Sequence, residues 1–142
     1  MRKSKINISG FKIGTAENRE GLTGVTVILA PDGGATAGVD VRGCAPGTRE
    51  TDLLDPRKTV QKIHAVVLSG GSAFGLEAAS GCVKYLAEQG VGFPIGNVCV
   101  PIVCSAVLFD LMIGDEKAYP DLLMGYEAAK SASSEFLSGC NG

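Results

Sequence analysis

A chain of 142 residues with 45% hydrophobic side chains is long enough for one domain with its own core, and too apolar to be disordered. A net charge of −2 with scattered Lys and Arg leaves no footprint for nucleic acid, and no apolar run is long enough to span a bilayer. The start, Met-Arg-Lys-Ser-Lys, leads into Ile-Asn-Ile-Ser-Gly-Phe-Lys rather than an apolar signal core. A cytoplasmic protein with no membrane partner is expected. Five cysteines at unpaired spacings and a single histidine argue against a zinc site. Free, mostly buried thiols are the plain expectation for Cys44, Cys82, Cys99, Cys104 and Cys140.

In chain order, KINISGFKIG (5–14) alternates weakly and predicts a first strand. GLTGVTVILA (21–30) has the β-branched density of a second. PDGGAT (31–36) reads as a hairpin turn, and AGVDVRG (37–43) as a half-buried strand returning beside the second, with Val39 and Val41 set against Asp40 and Arg42. CAPGTRETDLLDPRKT (44–59) reads as a loop. VQKIHAVVLS (60–69) predicts a strand covered on both faces, because its apolar residues are consecutive. A helix follows from about Ser72 to Gln89. Leu76, Ala79, Val83 and Leu86 share one face, Ser72 is placed as N-cap and Gly90 as the residue after the C-cap. Val103 to Leu111 is buried, as either strand or helix. YPDLLMGYEAAKSA (119–132) predicts a second helix with Pro120 in its first turn. The result is a mixed α/β (α+β) single domain, 1–142, with no internal boundary.

The strand-to-helix turn VVLSGGSAFGLEAA (66–79) is where chemistry is expected. A phosphate loop fails, because Leu76 and Glu77 follow Gly75 where Lys and Ser/Thr are required. The dinucleotide fingerprint fails because its second glycine falls at Ser72. A nucleophile elbow, Gly-x-Ser-x-Gly, is matched at Gly70, Gly71, Ser72 and Ala73 but ends in Phe74. The one histidine, His64, lies at the far end of the same strand, roughly 20 Å away at about 3.3 Å per residue. Ser72 then reads as an ordinary cap. The amides of Gly71, Ser72 and Ala73 are left to line a cleft or bind a carboxylate or oxyanion.

Four stretches together, GLTGVTVIL (21–29), RGCAPGTRETDLL (42–54), HAVVLSGGSAFGLEAASGCVKYLAEQGVGF (64–93) and VPIVCSAVLFDLMIGD (100–115), resemble the DmpA-type L-aminopeptidase D-amidase/D-esterase family. That family includes β-peptidyl aminopeptidases and NylC-type nylon-oligomer hydrolases. The resemblance runs from about Ile6 onward. It implies part of an αββα sandwich of the DmpA/ArgJ type. It also implies a self-processing enzyme whose nucleophile is the new amino-terminal Ser or Thr of a second fragment, with its own amine as base. Substrates implied are small peptides, amides or esters with a free amino group. No metal or other cofactor is implied. Members are much longer, so this chain resembles the N-terminal part of the α-subunit, inert by itself. Its implied partner is the C-terminal remainder or β-subunit, in a complete enzyme that is a homo-oligomer.

The resemblance assigns no catalytic residue within these 142 positions. Gly70, Gly71, Ser72, Phe74 and Phe109 are its cleft-lining candidates. Some relatives carry near Phe109 a tyrosine that helps hold the oxyanion, a bond phenylalanine cannot make. Arg49 and Glu50 either brace their loop as an ion pair or line the cleft. Asp110 either orients backbone in a buried turn or shapes the cleft wall. Phe74 and Phe109 read as core residues before substrate contacts. Two other functions stay open: a non-catalytic remnant with a binding or assembly role, and a serine hydrolase using Ser72.

Overall fold

The computed structural model describes residues 2–139 and 142. Among these residues nine strands and two α-helices follow one another as β1 (Arg2–Lys5), β2 (Lys12–Asn18), β3 (Thr23–Leu29), β4 (Thr48–Arg49), β5 (Ala65–Ser69), α1 (Ala78–Glu88), β6 (Phe93–Ile95), β7 (Val98–Val100), β8 (Val103–Val107), α2 (Leu122–Ser131) and β9 (Glu135–Ser138). Five strands form the central sheet in the order β2-β3-β5-β8-β4. Only β5 and β8 run parallel, joined through α1 and the β6–β7 ribbon. β1 pairs with β9 in a separate ribbon.

One face of the sheet carries the helices. Val25, Val27, Leu29, Ala65, Val67 and Val103 are buried there with Ala78, Ala79, Cys82 and Leu86 of α1 and Ala128 and Ala129 of α2. The alternation that puts these residues inward puts Ile28, Val66 and Leu68 on the opposite face. There Leu68 is 46% exposed. The fold is therefore mixed α/β, with one α layer on one β layer and a second sheet face that is buried at Cys104, half-buried at Ile28 and Val66 and exposed at Leu68.

The helices touch each other almost backbone to backbone. A Cβ at Gly81 would strike the carbonyl of Leu122, and one at Gly125 the carbonyl of Ala78. That contact is sealed at its rim by the Tyr85–Tyr126 edge-on pair, centroids 5.7 Å apart. α1 ends as its sequence predicts: Gly90 adopts φ +68, and the amides of Gly90 and Val91 donate to the carbonyls of Ala87 and Leu86. α2 begins at Leu122, two residues after Pro120. Asp121 is its N-cap, with Oδ1 accepting from the Met124 amide at 2.8 Å, and Pro120 is buried just ahead of it.

Four expectations are corrected. The turn 31–36 leads into no returning strand over 37–43. Val39 and Val41 are exposed with no apolar surface to alternate against, and β3 takes β2 and β5 as neighbours. β5 is covered on one face, not two. The stretch Val103 to Leu111 is not buried throughout: residues 103–107 take the strand alternative, in register against Ala65–Ser69, while Leu108 and Phe109 beyond them are exposed. The thiols divide evenly among the described residues, Cys82 and Cys104 buried, Cys44 and Cys99 exposed; Cys140 lies outside the described residues. Burial pushes the Cys82 thiol up to about 12. Among the described residues no helix is long and apolar enough to cross a membrane.

Candidate functional site

Three strand ends meet at one end of the sheet: the start of β3, the end of β5 and the end of β8. The backbone knits them together. Gly70 N–H donates to Gly24 C=O at 2.9 Å, Leu108 N–H to Ser69 C=O at 3.0 Å, and Ser72 N–H to Leu108 C=O at 2.9 Å. The Asp110 carboxylate ties the same three elements through side chains. Its Oδ1 accepts from Gly71 N–H at 2.6 Å and its Oδ2 from the Thr23 hydroxyl at 2.7 Å. These are charge-assisted bonds, stronger than neutral ones.

This clamp dictates the Gly-Gly pair. A Cβ at Gly70 would overlap the Asp110 carboxylate and the Thr23 hydroxyl. Gly71 takes φ +81, a backbone conformation glycine adopts without cost, and it packs against Tyr119. Ser72 follows at φ +51, which an L-residue adopts only under constraint. The 3-10 turn Ser72–Glu77 then leads into α1.

A cleft of about 520 Å³ opens beside the clamp. Leu22, Thr23, Gly24, Gly70, Leu108 and Asp110 form its walls, and the Glu17–Arg19 ion pair, 2.7 Å, stands at its edge. Leu22 also has a left-handed backbone, φ +55. Two of the three non-glycine residues with positive φ among the described residues thus belong to the cleft or to the turn that borders it.

The candidates from the sequence fall as follows. Gly70 lines the cleft, and Gly71 and Ser72 continue the turn behind it. Phe74 is 59% exposed and stacks on Tyr119, centroids 4.8 Å apart. Phe109 is 64% exposed beside Asp110. Neither phenylalanine is a core residue, because both sit on turns that carry them off the end of the sheet. Ser72 is not a side-chain cap; Gly71 occupies the capping position and no side chain closes the turn. The amides of Gly71 and Ser72 are already bonded to Asp110 and Leu108, so the carboxylate this turn binds is the chain's own. Asp110 orients the turn and forms part of the wall, joining both of its readings. Arg49 and Glu50 do not pair. Arg49 Nη1 donates to Ser80 Oγ at 2.7 Å, while Glu50, at φ +57, offers its carbonyl to the Cys104 thiol.

Sequence reasoning missed Leu22, Thr23 and Leu108. Thr23 meets Asp110 across 87 residues, a separation at which no local pattern exists. The positive φ of Leu22 leaves no trace in a leucine.

The strained backbone of Ser72 is the one feature that favours a serine nucleophile. His64 answers it: the ring lies at the opposite end of β5, buried, with Nδ1 accepting from Ile102 N–H at 3.1 Å. Burial holds its pKa below the ordinary value, so the ring is neutral. Ser72 therefore has no histidine base within reach.

The model of peptidase family S58 matches residues 5–142. An uncharacterized aminopeptidase of Mycobacterium leprae is 48% identical over 82% of this chain and 32% of its own length. A 6-aminohexanoate-oligomer endohydrolase of Kocuria sp. is 34% identical over 90% of the chain and 33% of its own. The chain thus spans about a third of the length of these curated relatives. Among solved structures, the PH0078 protein of Pyrococcus horikoshii superposes with a TM-score of 0.70 at 20% identity, over 95% of this chain and 42% of that one. An ornithine acetyltransferase of Mycobacterium tuberculosis gives 0.53 at 14% identity, over 94% and 76%. These two likenesses speak for the fold alone.

Proposed function

The chain belongs to peptidase family S58, and from that premise we propose that it forms the N-terminal wall of the active-site cleft in a self-processing aminopeptidase or amidase. The nucleophile is an amino-terminal Ser or Thr supplied by a second fragment, with its own amine as the base. That fragment also covers the open face of the central sheet and completes the αββα sandwich. Substrates are amides or esters with a free amino group, in keeping with the aminopeptidase and oligomer-hydrolase names of the relatives.

The observation that carries this reading is the clamped cleft at the ends of β3, β5 and β8. It is fastened by the Asp110 hydrogen bonds and ligand-sized, it falls inside the family match, and it holds Ser72 without a histidine base. Such a wall positions a substrate while another group attacks.

Mass spectrometry of the protein purified from its source tests the reading. A companion fragment beginning with Ser or Thr, with release of amine from an amino-acid amide, is the expected result. A single uncleaved species without amidase activity overturns it. Labelling by a fluorophosphonate probe that Ser72→Ala abolishes would instead establish the serine hydrolase.

A further inference from the structure

We infer that the Asp110 carboxylate receives a primary ammonium group carried on an alkyl chain, with the Thr23 oxygen beside it and Leu22 and Leu108 along the chain. The inference rests on the hydrolase reading above for calling that group part of a substrate. Its physical basis is the cleft.

The clamp leaves Asp110 charged. Its two bonds come from Gly71 N–H and the Thr23 hydroxyl, both neutral donors, so neither cancels the negative charge. A carboxylate has about four lone-pair sites, and two bonds leave roughly two of them unfilled. Among the described residues the ion pairs are Arg19–Glu17, Arg42–Asp40 and Arg57–Asp55, and none includes Asp110. The carboxylate is half-buried and forms part of the cleft wall. Gly139 and Gly142 on the same wall flank Cys140 and Asn141 in the sequence, neither of which is basic.

The hydrogen bonds of the wall point the same way. Gly70 N–H is engaged with Gly24, Gly71 N–H with Asp110, Ser72 N–H with Leu108 and Leu108 N–H with Ser69. The Thr23 hydroxyl gives its only proton to Asp110 and keeps its lone pairs. What the clamp still offers is acceptors, the carboxylate and the Thr23 oxygen 2.7 Å from it. The matching ligand group is compact, positively charged and rich in donors. An ammonium, with three N–H donors, is such a group, and bonds to it are charge-assisted. A ligand carboxylate would meet a like charge and no unengaged donor of the clamp. A metal ion would need more ligands: among the described residues no three His, Cys, Asp or Glu side chains gather to hold one.

Beyond the head group the walls are apolar. Leu22 is 57% exposed and Leu108 is 61% exposed, and both line the cleft. Leu108 is held through its amide by Ser69 and through its carbonyl by Ser72. Methylenes that lie against these side chains leave water at both surfaces. A volume of about 520 Å³ falls within the roughly 300–1,000 Å³ of small-ligand sites.

Three probes of equal chain length test the inference on the protein expressed from its complete reading frame: pentylammonium, pentanamide and pentanoate. They are titrated by NMR with the amides of Gly71 and Thr23 as reporters. Pentylammonium is expected to bind about tenfold more tightly than pentanamide, or better, with pentanoate weakest and the shifts centred on those two amides. Asp110→Asn removes the charge and can keep the clamp, its oxygen accepting from Gly71 N–H and its NH2 donating to the Thr23 oxygen. It should weaken pentylammonium about tenfold and pentanamide by less than about twofold. It should also abolish any preference, measured by kcat/KM, for an amino-acid amide over its N-acetyl form. Leu108→Ser should weaken pentylammonium about threefold and leave methylammonium unchanged. Pentanamide or pentanoate binding wild type as tightly as pentylammonium, or shifts centred elsewhere, overturns the inference whether or not Asp110→Asn folds. Ammonium binding indifferent to that variant overturns it too. A protein that binds pentylammonium as described but hydrolyses no amide defeats the hydrolase reading and leaves the cation site standing. Amide hydrolysis without such binding does the reverse.

Discussion

The two faces of the central sheet are built from the same strands and have opposite fates. Along β5, Ala65, Val67 and Ser69 are buried under the helices, while Val66 and Leu68 between them look away from the helices. Along β3, Val25, Val27 and Leu29 are buried and Thr26 and Ile28 are only half so. The helix face is finished: small residues let α1 and α2 close on each other and on the sheet. The other face is apolar in composition, and among the described residues no helix layer covers it, although Cys104 is buried there. Burial on this chain is decided by which strand positions meet the helices, and apolar sequence alone does not decide it.

The comparison can be broken first on the finished face. Gly125→Val would force a side chain into the carbonyl of Ala78 and drive the helices apart. A loss of more than about 3 kcal/mol, enough to abolish the cooperative transition, is expected in urea unfolding. A wild-type midpoint would mean the helices are not in backbone contact.

Adjacent positions on β5 sharpen it. Val67→Ala, fully buried, should cost about 2 kcal/mol. Leu68→Thr, its outward neighbour, should stay within about 0.5 kcal/mol in the isolated chain and reduce self-association seen by light scattering. Equal costs at the two positions would show that the open face is covered.

The finished face has one flaw. Ser105 Oγ is buried there with no hydrogen-bond partner among the described residues. Ser105→Ala should therefore stabilise, by about 1 kcal/mol, since it removes a desolvated hydroxyl. Destabilisation would reveal a partner for that hydroxyl.

The smallest effect belongs to His64, which joins β5 to the chain entering β8. Its Nδ1 accepts a bond from Ile102 and so must be unprotonated. Burial lowers its pKa from 6.5 in the folded state. Above pH 6.5 both states are neutral there and stability is full. As pH falls below 6.5 the unfolded chain takes up the proton first, and stability declines until the folded pKa is passed. Urea midpoints of wild type and His64→Gln, compared from pH 7.5 to 5, should diverge in that sense. Parallel curves would deny the bond.

Much of the finished face is written locally. The β-branched run of β3, the consecutive apolar residues of β5 and the spacing of Leu76, Ala79, Val83 and Leu86 each announce an element, and Gly90 announces where α1 stops. The absent strand over 37–43 shows the limit of such signals. Val39 and Val41 alternate correctly, yet alternation cannot supply a surface to pack on. The cleft was legible only in part. Its Gly-Gly-Ser turn marks itself, but what fastens the turn is a carboxylate 39 residues further on. The size and apolarity of Phe74 and Phe109 point them inward. Their exposure follows from the turns that carry them, which the composition does not encode.

The length of the Asp110 clamp has a consequence for how the chain is made. On the ribosome Gly71 emerges 39 residues ahead of the carboxylate that holds it. At about 5–20 residues per second, the turn waits roughly 2 to 8 s for its fastener. Thr23 waits longer still, across 87 residues. The two bonds close large loops and form only when β8 has been synthesised and laid beside β5. Because α2 (Leu122–Ser131) emerges only after Asp110, every part of the clamp exists before the helix pair can close, and the cleft can take shape ahead of the finished face behind it.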